Sequence, residues 1–348
     1  MKAIQVRGRS GASTILVGEA LDSLGSYTPL DKTVIIADTN LCRHYQKDFP
    51  PSCNVIEIAS GEEVKTLETV KEICLKLMEI GADRSSFIVG IGGGVVSDIA
   101  GFVASIYMRG VRFGFVSTTL LSQVDAGIGG KNGVNLAGYK NMLGVFNQPQ
   151  FVICDLNLLK TLPRKELLSG FAEIVKHAVI GDTELFSYLE ANYEKGVSLD
   201  PEVIERLVCD SVVIKSSIVN RDEQERGERR KLNFGHTFGH AIEKSAGISH
   251  GEAVSIGMAI ASRLSHKWGY LALEEVERIE TLLKKLGLPV RLDCTPGDLL
   301  DAMRKDKKRN GRGIHFVFLK AVGHAFVGEM PIYELGEAIR GCSLPFWQ

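Results

Sequence analysis

Three histidines fall within fifteen residues of a chain that has only eight. Two of them, His236 and His240, stand at i and i+4 in the run NFGHTFGH, on one face if that run is helical. His250 follows in Ser249-His250-Gly251-Glu252, and a second i,i+4 pair, Glu173 and His177, lies in FAEIVKH. Imidazole with carboxylate suits zinc or a similar first-row ion, with a coordination position left open for substrate. A lone histidine is more often structural, so the clustering carries the metal reading. Spacing nominates His236, His240, His250, Glu173 and Glu252 and does not choose among them.

A second chemistry is written in Gly92-Gly93-Gly94-Val95-Val96-Ser97-Asp98, which follows an apolar run and opens a helical one. Glycine lets a pyrophosphate approach the backbone, and a helix N-terminus offers N–H groups to it. The spacing is not G-x-G-x-x-G, and a tight strand-to-helix turn would need the same glycines. Asp38 either accepts from a ribose or adenine group or closes a turn; taken alone, the turn is the better reading. Ser60 and Glu63 read as a capping box for the following helix. The run DAGIGGKNGVNLAGYKN, from Asp125, reads as part of a long functional loop over 125–144 whose two lysines favour an anion.

These groups need elements to hold them. Strand-like runs at 33–37, 54–59, 87–91 and 113–117 alternate with helical patterns at 64–80 and 95–104, which implies a parallel sheet covered on both faces. Ligands of such sheets gather beyond the C-terminal strand ends. Asp38, the glycine run and Thr118-Thr119 all lie at such ends. From Pro163 the pattern turns helical, over 166–180, 185–193, 201–219, 237–245, 253–268 and 274–286, and 313–327 reads as a small hairpin. The expected fold is an α/β Rossmann-like domain over 1–160 followed by a mainly α-helical metal-binding domain over 161–348.

The totals agree with such a chain. Its 348 residues exceed what one core usually serves. Lys and Arg total 41 against 42 Asp and Glu, for a net charge of −1. A general nucleic-acid binder normally carries a basic excess, so the balance argues against that class, while local basic clusters for a small phosphorylated ligand stay open. The seven cysteines are scattered and form no C-x-x-C pair, as expected of buried thiols in a reducing compartment. No signal-like segment and no apolar stretch of about 18 residues is present. A cytoplasmic protein without membrane contact is the expectation.

The blocks GGGVVSDIAGFVAS, YMRGVRF, STTLLSQVDAGIGGKNGVN, YKNMLGVFNQP, LKTLP, GFAEIVKHA, NRDEQERGERRKLNFGHTFGHAIE, HGEAVSIGM and MRKDKK follow one another in the second and third quarters of the chain and beyond. Together with Asp38 and the pattern Gly61-Glu62-x-x-Lys65, they resemble the 3-dehydroquinate synthase family of sugar phosphate cyclases. The resemblance implies Glu173, His236 and His250 as ligands of zinc or cobalt, and moves His240 to the substrate. It implies NAD contacts at Asp38, Ser60, Gly61, Glu62, Lys65, Gly94, Val95, Val96, Ser97, Asp98, Thr118, Thr119, Lys131, Lys140, Leu158 and Thr161. Substrate contacts would be Asp125, Lys131, Asn141, Lys176, Lys215, Arg229, Asn233, His240 and Lys307. Arg109 would reach the phosphate site of a neighbouring subunit, which implies a homodimer. Ser169 stands where the family often has Asn, a minor departure because a hydroxyl still hydrogen-bonds.

The activity implied is conversion of 3-deoxy-D-arabino-heptulosonate 7-phosphate, a phosphorylated seven-carbon sugar acid, to 3-dehydroquinate and phosphate. NAD would oxidise C5 transiently, phosphate would leave, the hydride would return, and the opened ring would close by an aldol step. Two rivals share the architecture: a related sugar phosphate cyclase with another substrate, and a metal-dependent polyol dehydrogenase that releases NADH at each turnover.

Overall fold

The β-branched runs of the N-terminal half become strands because their side chains are buried on both faces. In a computed structural model, which describes residues 1–291, 313–331 and 334, these strands form one seven-stranded sheet. In chain order the elements are Lys2–Gly8 (β1), Gly11–Val17 (β2), Thr33–Asp38 (β3), Thr39–Tyr45 (α1), Asn54–Ile58 (β4), Leu67–Glu79 (α2), Phe87–Gly92 (β5), Gly94–Ile106 (α3), Arg112–Ser117 (β6), Lys131–Leu136 (β7), Tyr139–Phe146 (β8) and Phe151–Cys154 (β9). The sheet order is β1-β2-β9-β6-β5-β3-β4. Only the β1–β2 pair is antiparallel. One side of the sheet closes over a core that includes Ile35, Val89, Ile91, Val116 and Ile153.

Several features differ from the reading of the sequence. The β1–β2 hairpin, α1 and β9 are not among the elements its patterns suggest. The expected loop at 125–144 is a π-helical turn at Ser122–Ala126 followed by the antiparallel hairpin β7–β8. The hairpin's glycines are its packing surface: Gly133 faces Gly144 across the ladder, and a Cβ on Gly101 of α3 would strike the Asn132 side chain. Backbone meets backbone and helix there, so a run with weak strand propensity is held as strand by close approach.

The helices that follow are Arg164–Gly181 (α4), Thr183–Val197 (α5), Pro201–Arg221 (α6), His236–Ala246 (α7), His250–Lys267 (α8) and Leu273–Lys285 (α9). A hairpin of Gly313–Ala321 (β10) and His324–Pro331 (β11) completes the described residues. Two compact units result: Met1–Leu162 with Lys215–Glu223, and Pro163–Ile214 with the described residues from Gln224 onward. Residues 215–223, which the sequence reading left with the helical part, group with the α/β unit for a physical reason. Lys215 donates to Asp125, the Arg7 N–H donates to Asn220, and Glu223 accepts from Arg9 N–H and Gln148. Among the described residues no helix is long and apolar enough to cross a membrane.

Candidate active site

In the helical unit three donors converge. Glu173 sits in the middle of α4 with no exposed surface. His236 is the first residue of α7 and His250 the first of α8. Their donor atoms lie within 4.8 Å of one another; His236 Nε2 is 3.5 Å and His250 Nε2 3.3 Å from Glu173 Oε1. His236 Nδ1 donates to the Phe234 carbonyl at 3.2 Å, which leaves Nε2 with its lone pair toward the carboxylate. Two electron-rich atoms facing each other in a buried site are reconciled by a cation between them. One carboxylate and two imidazoles, with His250 giving up its proton to the ion, form a donor set suited to a divalent first-row metal. The residues present therefore fit such an ion.

Local sequence explains how the helices bring these groups together. α7 starts from Gly235, left-handed at φ +79°, and crosses α8 at glycine: a Cβ on Gly257 would lie 2.9 Å from the Gly235 carbonyl carbon and 3.0 Å from Gly239 N. The start of α8 is set by a capping box in which Ser249 and Glu252 bond reciprocally. That bond draws the Glu252 carboxyl below its usual range and spends it on the helix end. Glu252 and His240 stand outside the convergent group. His240 is exposed, its ring edge-on to His236 at 5.3 Å. Burial pushes His236 down to about 3. Burial also works against charged His250, but its hydrogen bonds to the Glu173 and Glu243 carboxylates outweigh it and raise it to about 9.

Around this centre lie further charged groups. The Lys176 ammonium touches Glu173 Oε2, and both are almost wholly buried. Arg229 is buried at 3% exposure. The Asn233 amide donates to Glu225, a residue with left-handed backbone at φ +58°. Glu225 and Glu243 were not singled out from sequence. Glu243, whose carboxylate is 3.6 Å from His250 Nδ1, had a signal available: with His236 and His240 it completes an i, i+4, i+7 stripe. Ser169 packs on Gly251, and its hydroxyl donates to the Lys165 carbonyl at 3.1 Å. Lys307 lies outside the described residues.

The α/β unit builds a second constellation at the C-terminal ends of its strands. Gly93 is the N-cap of α3 and brings no side chain to it. A Cβ on Gly94 would lie 2.9 Å from Ala126, and one on Gly93 3.0 Å from Thr119, so the turn is as tight as its residues allow. Gly94, Val95 and Val96 open the first turn of α3, where N–H groups are available to an anion, while the Ser97 N–H donates to the Gly93 carbonyl at 3.1 Å. Thr118 follows the end of β6, and its N–H donates to Gly92. Asp38 caps α1 by accepting from Leu41 N–H and also accepts from Ser60. Ser60 is thus committed to Asp38, and α2 is capped by Thr66 instead of the expected Ser60–Glu63 box. Gly61, at φ +112°, turns the chain into Glu62. Buried Lys65 contacts Asp98 and donates to Asn141 Oδ1 at 2.6 Å; burial raises Asp98 to about 6 against the pull of that ammonium.

Asp125 receives Lys215 on its carboxylate at 2.6 Å and on its carbonyl at 2.5 Å. Lys131 opens β7 and Lys140 lies on β8, both on the exposed side of the hairpin. Leu158 is buried, and the Thr161 hydroxyl pairs with Tyr45 at 2.8 Å. Arg109 is exposed in a left-handed pair with Met108, at φ +69° and +49°, a backbone state that costs about 1 kcal/mol or more per residue and is found at functional turns. Burial pushes the Cys42 thiol up to about 11 and that of Cys154 higher still, and it raises Cys53 and Cys74 as well.

The fold of a parallel α/β unit followed by a helical unit also occurs in a probable glycerol dehydrogenase, at TM-score 0.67 and 18% identity, and the higher similarities are to the class of sugar phosphate cyclases. Two solved structures of that class share the fold. One is 2-deoxy-scyllo-inosose synthase complexed with carbaglucose-6-phosphate, NAD+ and Co2+, at TM-score 0.86 and 26% identity, covering 98% of this chain and 100% of the other. The other is 2-epi-5-epi-valiolone synthase from Streptomyces hygroscopicus with NAD+ and Zn2+ bound, at TM-score 0.85 and 29% identity over 94% of this chain and 95% of the other. Family models for the 3-dehydroquinate synthase N-terminal and C-terminal parts match residues 55–169 and 170–309. A 3-dehydroquinate synthase of Dehalococcoides mccartyi is 43% identical over 324 residues, 90% of each chain. The chain belongs to the 3-dehydroquinate synthase family, and so to a family of enzymes.

Proposed function

We propose that this chain is a phosphate-eliminating lyase, converting 3-deoxy-D-arabino-heptulosonate 7-phosphate to 3-dehydroquinate and phosphate as a homodimer. The observation that carries the reading is the convergence of Glu173, His236 and His250 within 4.8 Å in a chain 43% identical to a named 3-dehydroquinate synthase. The lower identity to the two other cyclases, 26% and 29%, favours this substrate over theirs.

Glu173, His236 and His250 would hold the divalent metal, zinc or cobalt, and Asp38, segment 60–65, residues 94–98, Thr118, Thr119, Lys131, Lys140, Leu158 and Thr161 would hold NAD. When bound, the metal acidifies a substrate hydroxyl and the nicotinamide takes and returns a hydride. The chain's own groups bind and orient. Arg229, which is buried, would match the substrate carboxylate bidentately. Lys131, Asn141, His240 and Lys307, with Arg109 of a second subunit, would hold the phosphate. Asp125 holds Lys215 by two short bonds, which fixes an ammonium against the sugar hydroxyls. Lys176 offsets the buried charge of Glu173. The net charge of −1 is compatible with such local basic sites, because acidic partners balance them.

Phosphate release from the heptulosonate phosphate, measured with and without chelator and alongside metal analysis, tests the reading. The expected result is metal-dependent phosphate release without accumulation of NADH. Turnover of sedoheptulose 7-phosphate or glucose 6-phosphate in its place would assign the chain to another cyclase. Steady NADH release with a simple polyol would assign it to the dehydrogenases.

A further inference from the structure

The Gly-Asn-rich hairpin holds a residue that none of these roles uses. Asn135 falls in a register shift of the β7–β8 ladder, between Val134 paired with Leu143 and Leu136 paired with Tyr139. Such irregularities re-aim side chains next to functional sites. Freed from the ladder, the Asn135 N–H donates to the Lys65 carbonyl at 2.8 Å. Its Oδ1 accepts from Asn141 N–H at 2.9 Å, and its Nδ2 donates to Glu62 Oε1 at 2.8 Å. The amide orientation is dictated by chemistry: one neighbour is an N–H and the other a carboxylate, so the flipped amide would meet donor with donor and acceptor with acceptor.

Asn141 needs this support. Its backbone is left-handed at φ +55°, and its side-chain oxygen accepts from Lys65 Nζ at 2.6 Å. Asn135, Asn141 and Lys65 thus close a ring of hydrogen bonds, with Glu62 attached through the same amide. Of the small polar side chains only Asn presents an acceptor and an N–H donor from one short stem. Aspartate keeps the acceptor and loses the donor; alanine loses both.

We propose that Asn135 is a positioning residue that locks the β7–β8 irregularity to segment 62–65, holding Glu62 on the cofactor side and Asn141 on the substrate side by one amide. The assignment rests on the proposed function, which supplies the roles of Glu62 and Asn141. It couples the two ligands: a change at Asn135 alters NAD binding and substrate binding by separable arms.

The test is a double-mutant cycle read by NAD titration of cofactor-free protein, with substrate KM and kcat measured in parallel. Asn135→Asp sets a carboxylate against Glu62 and should weaken NAD binding about tenfold, the scale of one hydrogen bond to a charged group. Substrate KM at saturating NAD should stay within about twofold, because the Asn141 arm survives. In a Glu62→Gln background the same substitution should cost nothing further, since the glutamine amide donates to the new carboxylate. Asn135→Ala should raise both constants. Equal cost of Asn135→Asp in the two backgrounds, or unchanged NAD binding, overturns the proposal; a purely structural role predicts such additivity. If the alanine variant does not fold, the Asp/Gln cycle still decides. A wild-type chain that binds no NAD would sink the functional reading itself, whereas normal wild-type binding with an indifferent Asn135→Asp sinks only the role of Asn135.

Discussion

Gly257→Ala should strip the metal from the protein while touching none of its ligands. A Cβ at this position would run into the Gly235 carbonyl oxygen, with the carbonyl carbon 2.9 Å and Gly239 N 3.0 Å away. Carbon atoms rest at about 3.5–4.0 Å, so clearing the carbonyl carbon alone parts α7 and α8 by roughly 1 Å, and clearing the oxygen takes more. The obstacle is backbone, which has no rotamer to escape into. Overpacking of this kind costs about 1–3 kcal/mol, and for a domain of this size each kcal/mol lowers Tm by about 2–4 °C. The metal feels it more sharply. His236 and His250 head the two separated helices, and a metal site tolerates about 0.2 Å of error in each bond. A change confined to supporting residues typically costs about 10–100-fold in affinity, so losing the reach of one imidazole should cost about 100-fold or more. Zinc affinity by chelator competition, with thermal melts with and without metal, reads both effects. Ser262→Ala, at a buried hydroxyl further along α8, is the control and should bind metal normally. A Gly257→Ala protein with wild-type metal affinity would refute the claim that the glycine crossing sets the site.

Three further outcomes follow from the geometry. His250→Ala should lose metal and activity together, while His240→Ala should keep metal and lose activity; metal content of the purified variants separates them, and metal loss in His240→Ala would return that residue to the ligand set. Arg229→Ala should raise substrate KM by about 100-fold, from loss of a buried charge-assisted pair worth about 2–3 kcal/mol, and unchanged kinetics would remove it from the carboxylate. Glu223 accepts from Arg9, Ser10 and Gln148; burial opposes its charge, but these bonds win and hold its carboxyl below the usual 4.5. A depressed folded-state value stabilises above the unfolded pKa and is lost as pH falls through the folded one. Wild type should therefore lose stability below about pH 4.5, and Glu223→Gln should flatten that part of the profile in pH-dependent melts.

What could be read from residues alone was what depends on period and on local chemistry. The runs containing Ile35, Val89 and Val116 announced buried parallel strands because each is mostly apolar and alternates with helical patterns. The six helical patterns beyond Pro163 announced themselves by spacing. Ser60 and Glu63 had the form of a capping box, yet Ser60 serves Asp38 from a distant strand end. Thr66, a poorer match on paper, caps α2 because the intervening turn at Gly61 postpones the helix. The hairpin β7–β8 was read as a loop because Gly and Asn carry little strand propensity. Its strands exist through contacts with α3 and with each other that only the folded chain supplies.

The histidine motif shows where the boundary lies. Residues at i and i+4 share a helical face, so His236 and His240 looked equally able to bind one ion. What separates them is the position of everything else: His236 is at the helix start, beside a residue buried in α4 and another heading α8, whereas His240 is one turn on and exposed. That distinction is a matter of helix crossing, and its trace in the sequence is the glycines more than the histidines. Gly235, Gly239 and Gly257 are where α7 and α8 touch backbone to backbone. A G-H-x-x-G-H run paired with a glycine-bearing helix therefore encodes a close crossing first and a metal site as its consequence. Read that way, the spacing that first suggested two ligands on one helix specifies one ligand from each of two.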